Sequence, residues 1–183
     1  VYLDDGKIMG HNTDIDGFEL SIKKLKFDLF KKKIFILGAG GVVPSIIYAL
    51  NKMKVSKIFI SNRTREKAEN LKNLFNNLNI IDWGDVPNFD MIINATSLGL
   101  KKKDKINLDF SFMGNNKFFY DVIYNPKETN FLKIGKELGG KTENGKLMFI
   151  YQAYSAFNIW HKVKPKINED VMELLDLWLK LEF

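Results

Sequence analysis

Apolar residues along the chain fall into two alternating kinds of block. The first kind is short and continuous: Ile34-Phe35-Ile36-Leu37, Lys57-Ile58-Phe59-Ile60-Ser61, Ile80-Ile81, Met91-Ile92-Ile93-Asn94 and Phe118-Phe119-Tyr120-Asp121-Val122. Runs of this length, apolar at successive positions, predict parallel strands buried on both faces. The second kind is spaced at threes and fours. Ile15, Phe18, Ile22 and Leu25 mark one face of a helix that ends before Lys31, with Asn12, Thr13 and Asp14 as candidate caps. Further helices are predicted over Val42–Met53, Glu66–Phe75 (with Asn62 and Thr64 as capping candidates), Lys127–Leu138, Leu147–Trp160 and Asn168–Leu181. Gly139-Gly140 stops the fourth of these six, and Lys141-Thr142 starts a further strand. Val1–Met9 reads as a hairpin turning at Asp5-Gly6. Strands alternating with helices predict an α/β fold: a Rossmann-like, doubly wound parallel sheet with flanking C-terminal helices.

Composition narrows the chemistry. The chain has 183 residues, 45% hydrophobic and 27% charged, which suits one globular domain with a core. It has no cysteine and two histidines, His11 and His161, so thiolate metal sites, disulfides and cysteine nucleophiles are excluded and no metal is expected. The net charge of +6 is scattered, with short runs only at Lys31–Lys33 and Lys101–Lys103 that read as solvated loops. No basic–aromatic interleaving accompanies it, so a nucleic-acid partner is not expected. No apolar stretch approaches the roughly 18 to 20 residues of a membrane span. The acidic start, Val1-Tyr2-Leu3-Asp4-Asp5, is unlike a signal peptide, and a cytoplasmic setting is expected. Because the first residue is not Met and opens a hairpin, the chain is expected to begin partway through a protein.

Two segments carry candidate chemistry. Gly38-Ala39-Gly40-Gly41-Val42 lies between a buried strand and a helix, where glycines let the backbone approach a pyrophosphate and the helix N-terminus faces the anion. Val43 stands at the third position of the G-x-G-x-x-G/A pattern, where a small residue is usual, which puts close helix–strand packing in question. After the next strand come Asn62, Arg63, Thr64, Arg65 and Lys67, where an NAD enzyme would carry the acid that binds the ribose 2′-hydroxyl. Cations at a helix start oppose the helix dipole, and a bound 2′-phosphate supplies a reason for them. Arg63 offers a planar fork of donors, Thr64 a hydroxyl, and Lys67 or Arg65 further charge, so NADP(H) is the expected cofactor.

These segments belong to a longer series. Gly10-His11-Asn12-Thr13-Asp14-Ile15-Asp16-Gly17-Phe18, Gly38-Ala39-Gly40-Gly41, Asn62-Arg63-Thr64 and Asn94-Ala95-Thr96-Ser97-Leu98-Gly99 stand in that order. Asp121-Val122-Ile123-Tyr124-Asn125-Pro126 with Thr129 and Leu132 follows, then Gly145, Met148, Gln152, Ala153, Phe157 and Trp160. The series resembles the shikimate dehydrogenases, motif by motif and in their order. The resemblance implies NADP-dependent interconversion of shikimate and 3-dehydroshikimate. It implies that Asp14 is the aspartate of a catalytic lysine–aspartate pair, and that Thr13 and Gln152 bind shikimate. Tyr124 would contact substrate or the nicotinamide ribose, or be a satisfied core tyrosine. Asn94, Ala95, Thr96 and Ser97 would line the cofactor crevice or form a plain turn. Gly145 and Met148 would approach the nicotinamide, with Met148 as core the competing reading. For Asp14 the competing reading is a helix cap, and for Gln152 a surface position. Neither histidine is assigned a catalytic role.

The resemblance also implies an N-terminal substrate domain bearing an S-x-S motif and the lysine, and neither motif is found here. Residues 1–12 are then expected to be the end of that domain and a linker, 13–160 the NADP-binding domain, and 161–183 a helix packing back on the core. That last helix carries Val171, Leu174, Leu175, Trp178 and Leu181 on one face. The alternatives are a quinate/shikimate dehydrogenase and a non-catalytic NADP(H)-binding module. Expected partners are shikimate or 3-dehydroshikimate and the absent domain in cis, with a homodimer left open.

Overall fold

The computed structural model describes residues 1–101 and 103–181, with side chains omitted from 180 onward. Lys102 of the basic run and the side chain of Leu181 therefore lie outside the described residues. A two-stranded antiparallel hairpin, β1 (Tyr2–Asp4) and β2 (Lys7–Met9), leads into α1 (Thr13–Lys24). Then follow β3 (Lys33–Leu37), α2 (Val43–Lys52), β4 (Lys57–Ser61), α3 (Arg65–Leu74), β5 (Leu78–Ile80), β6 (Met91–Asn94) and β7 (Phe118–Asp121). The chain continues through α4 (Asn130–Glu137), β8 (Lys141–Glu143), α5 (Lys146–His161) and α6 (Glu169–Leu181).

The six strands β3 to β8 form one sheet in the order β5-β4-β3-β6-β7-β8, every pair parallel. The chain leaves β3 toward β4 and β5, then returns to the other side of β3 with β6. The crevice between the carboxyl ends of β3 and β6 is the switch point where doubly wound sheets bind ligands.

The continuous apolar runs resolve into two faces of one sheet. Ile34, Ile36, Ile58, Ile60, Met91, Ile93, Phe118 and Tyr120 join one core with Phe18 and Ile22 of α1, Ile46, Ile47 and Leu50 of α2, Ala68 and Leu71 of α3 and Met148 of α5. Phe35, Leu37, Ile92 and Phe119 face the other way, against Phe131 and Leu132 of α4. The rest of that second face is covered by irregular segments that contribute Phe89, Ile106 and Phe110. Phe89, Phe110 and Phe131 each contact Phe119, two of them edge-on. Each fully buried side chain of this size is worth about 1.5–3 kcal/mol, well above any exposed ion pair, so the sheet fixes where the loops at its ends stand.

Two boundaries and the burial of one helix differ from expectation. The strand predicted at Ile80-Ile81 is Leu78–Ile80, set by parallel pairing of Leu78 with Ile58. The helix predicted from Lys127 begins at Asn130, because the buried Thr129 hydroxyl accepts from the Leu132 N–H (3.3 Å) and caps it there. The last helix is not a core element. None of its residues with described side chains is buried, Leu174 and Leu177 are exposed, and it is tied to the start of α5 by Lys146 Nζ donating to Asp176 Oδ1 (2.8 Å).

Candidate functional site

A cleft of about 350 Å³ opens at the carboxyl ends of β3, β4 and β6. Gly38, Ala39 and Gly40 form one wall, Asn62, Arg63, Thr64 and Lys67 a second, and Ala95, Thr96 and Ser97 a third. Two residues absent from the sequence expectation, Trp83 and Leu98, complete it. The only hint of Trp83 in the sequence is an isolated aromatic in the polar stretch Asp82-Trp83-Gly84-Asp85.

The glycine loop is built for close approach. Gly38 has φ of +106°, and a Cβ on it would lie 2.7 Å from the Ala95 carbonyl oxygen. Val43 is fully buried in the core, so the larger residue at the third motif position packs without opening the turn. α2 starts from Val42 with no side-chain cap and no acid in its first turn. Its positive dipole end is left to an anion from outside. Gly41, the next residue of the loop, has open space where a side chain would be.

The basic wall is sorted by its neighbours. Arg65 donates to Glu69 Oε1 (2.9 Å) and to Asp82 Oδ1, which turns it away from the cleft. Both carboxylates hold its pKa above the ordinary arginine value, Glu69 foremost. Arg63 and Lys67 line the cleft, and neither has an ion-pair partner among the described residues. Thr64 is the N-cap residue of α3, yet its hydroxyl makes no capping bond; Asn62 Nδ2 donates to the Thr64 carbonyl instead (2.7 Å).

Asn94 does not face the cleft. It is fully buried and its amide is saturated: Nδ2 donates to Leu98 O and Asp121 Oδ1 (both 3.0 Å), and Oδ1 accepts from Thr96 N–H (3.1 Å) and Thr96 Oγ1 (2.7 Å). It shapes the loop that carries Thr96–Leu98, with its amide committed within the fold. Asp121 joins this network from β7, accepting also from Ile123 N–H (3.0 Å) and Thr129 Oγ1 (2.7 Å). Burial pushes its carboxyl up to about 6, against the lowering effect of those hydrogen bonds. A carboxylate ending an otherwise apolar strand was the sequence signal for it.

A second cavity, about 710 Å³, lies on the other side of the post-β6 loop, between Gly99–Lys101 and the segment from Val122 to Lys133. Tyr124 lines it and stacks on Phe149 of α5 at 4.6 Å and 29°. The α5 helix is pressed against the sheet at its start: a Cβ on Gly145 would collide with the Val122 carbonyl oxygen, and Gly145 N–H donates to Ile123 O (3.0 Å). Met148 is buried in the core beneath.

Thr13 and Asp14 open α1, and Gln152 comes from α5. The two helices cross so closely at Gly17 that a Cβ there would lie 2.7 Å from Met148 O and 3.0 Å from Gln152 Cβ. Gln152 thus stands about one helical turn from Thr13 and Asp14, half-buried. The cap of α1 is Asn12, whose Oδ1 accepts from Asp14 N–H (3.1 Å) and whose Nδ2 donates to Ser45 Oγ on α2 (2.9 Å). Asp14 is therefore not the cap. The side chains of Thr13, Asp14 and Gln152 have no hydrogen-bond or ion-pair partner among the described residues. His11 pairs with Asp16 at 2.7 Å on the surface.

An all-parallel sheet with a glycine turn, an uncapped helix start and a cationic second strand end at its switch point defines a dinucleotide-binding domain of Rossmann type. Comparison with known proteins makes this specific. The sequence model of the family Shikimate / quinate 5-dehydrogenase matches residues 19–106. The chain is 56% identical over 177 residues to a shikimate dehydrogenase (NADP(+)) of Pelagibacter ubique, covering 97% of this chain and 67% of that protein. It superposes on a shikimate 5-dehydrogenase from Listeria monocytogenes, in complex with shikimate and NAD, with a TM-score of 0.86 and 28% identity, covering 94% of this chain and 65% of the other. The enzyme from Thermus thermophilus, in complex with NADP(H) and shikimate, gives 0.79 at 28% identity, covering 89% and 61%. The chain belongs to the shikimate dehydrogenase family, and spans about two thirds or less of the length of these relatives.

Proposed function

We propose that this chain binds NADP(H) in the cleft at the ends of β3, β4 and β6 and is the cofactor-binding part of an NADP-dependent shikimate dehydrogenase. The observation that carries the reading is the pair of uncommitted cations, Arg63 and Lys67, lining the cleft that the glycine loop opens. The Thermus relative, solved with NADP(H) and shikimate, supports the same cofactor and substrate. A 2′-phosphate would sit against Arg63, Lys67 and the Thr64 hydroxyl, and the diphosphate against Gly38–Val42 and the N–H groups that open α2.

Held by the glycine loop, Arg63, Thr64 and Lys67, a bound NADP+ would supply a hydride acceptor for the secondary alcohol carbon of shikimate. The chain's own residues prepare the alcohol for that loss. Thr13 and Gln152, close together and without partners, would hold the hydroxyls of a polyol acid. Asp14, freed from capping by Asn12, would hold the reacting hydroxyl and help take its proton. Tyr124, fixed by its stack on Phe149, would close one side of the substrate space. The lysine and the S-x-S motif that the resemblance implies are assigned to no residue of this chain, which leaves Asp14 as the one named member of the catalytic pair. A cytoplasmic setting is part of the proposal, in keeping with a cysteine-free chain. No described helix is long and apolar enough to cross a membrane.

The test is cofactor discrimination. Arg63→Ala should weaken NADPH by about tenfold to a hundredfold, the cost of a lost hydrogen bond to a charged group. NADH affinity, measured on the same sample by calorimetry, should change by less than about twofold, since no 2′-phosphate is there to lose a partner. Equal losses would show that Arg63 does not meet the 2′-phosphate.

A further inference from the structure

We infer that Trp83 is the adenine platform of the cleft, its indole face packing against the base while Arg63, Thr64 and Lys67 hold the adjoining phosphate. The inference deepens the NADP(H) reading and rests on it. Trp83 forms a wall shared by two adjoining recesses: the main cleft, and a smaller one of about 200 Å³ that also includes Asn62, Arg63 and Asp82. It therefore stands beside the basic wall, where the adenosine end of the cofactor must lie if Arg63 takes the 2′-phosphate.

The side chain is placed as a platform would be. It is half-buried and packs, with Ile81 and Leu98, against the aromatic core under the second sheet face. Leu98 lines the same cleft, so the two present one apolar surface beside polar Asn62 and Thr64. A purine offers this complement: an apolar π-face and a polar edge. The indole N–H has no hydrogen-bond partner among the described residues.

The backbone around it is held from three sides. Ile81 N–H donates to Ile60 O (2.8 Å), which keeps the chain in register beside β4 as it leaves β5. Asp85 N–H donates to Asp82 O (3.1 Å), closing a turn over Trp83 and Gly84. Arg65 donates to Asp82 Oδ1 and ties the turn to the first turn of α3. The same ion pair masks a carboxylate that would otherwise repel a phosphate nearby.

The test uses adenosine 2′,5′-bisphosphate, which carries the base and the 2′-phosphate without the nicotinamide. Replacing the exposed Trp160 and Trp178 by Phe leaves Trp83 as the one tryptophan of the chain. Its emission should change on titration, saturating at the dissociation constant that calorimetry gives for the same protein. Trp83→Leu should weaken the bisphosphate by about tenfold, within the range for base–aromatic stacking, and Trp83→Phe by less than about threefold. Calorimetric binding with no change in Trp83 emission, or a Trp83→Leu variant that binds as tightly as its parent, would overturn the platform and leave the NADP(H) reading standing. No binding of the bisphosphate to the parent chain would overturn both.

Discussion

The two halves of the site are assembled in different ways. The cleft proposed for the cofactor is lined mostly by short runs, Gly38–Gly40, Asn62–Thr64 with Lys67, and Ala95–Leu98, each following a strand of the same sheet. Once β3, β4 and β6 pair, these runs converge without further adjustment. The substrate side, as proposed, draws single residues from distant elements: Thr13 and Asp14 from α1, Tyr124 from the loop after β7, Gln152 from α5. Gln152 is brought to the start of α1 where α5 is pressed against it at Gly17, and the start of α5 is pressed against Val122, just after β7, at Gly145. The first region is carried by sheet register; the second depends on two glycine contacts that admit no side chain.

That contrast can be broken most directly at Gly145. Gly145→Ala would drive a methyl into the Val122 carbonyl, a contact neither backbone can relieve cheaply. We expect a loss of about 4 kcal/mol or more, or failure to fold, read from urea midpoints. An effect below about 1 kcal/mol would mean α5 can shift and the substrate side is not fixed by this contact.

A smaller effect is expected at the joint between the two halves, where Asp121 links the loop after β6 to the loop after β7. Its folded carboxyl titrates at about 6, above the ordinary 3.8 of the unfolded chain. The folded state thus binds the proton more tightly. Its stabilising contribution is complete below about pH 4 and is lost as the pH rises through about 6, a difference of about 3 kcal/mol. Asp121→Asn should abolish that component, so that parent and variant diverge in the pH dependence of their urea midpoints between about pH 4 and 7. Parallel profiles would show that the carboxyl titrates normally.

The smallest effect on the fold is expected at Asp14. Its side chain has no partner among the described residues, and Asn12 supplies the cap. Asp14→Asn should leave stability within about 0.5 kcal/mol and NADPH affinity unchanged. In the assembled enzyme, shikimate oxidation should fall by at least about a hundredfold, the lower end of what a positioned acid–base group supplies. Normal turnover would remove Asp14 from the chemistry.

How much of this was legible in the sequence follows the same division. The parallel sheet was, since continuous apolar runs alternating with amphipathic helices have few other solutions. So were most of the runs that line the cleft, because glycine at a strand end and cations at a helix start are local features with local causes. Packing settled what depends on neighbours far along the chain. It turned Arg65 toward Glu69 and Asp82, leaving Lys67 and Arg63 for the cleft. It drew Asn94 inward to Asp121, a partner 27 residues away. It placed Trp83 in the cleft through the pairing of β5 with β4, and left the apolar face of α6 largely exposed where its periodicity predicted core. Pattern reports which face of an element is apolar; only the folded arrangement decides what that face meets, because burial is a property of two surfaces and a sequence segment carries one.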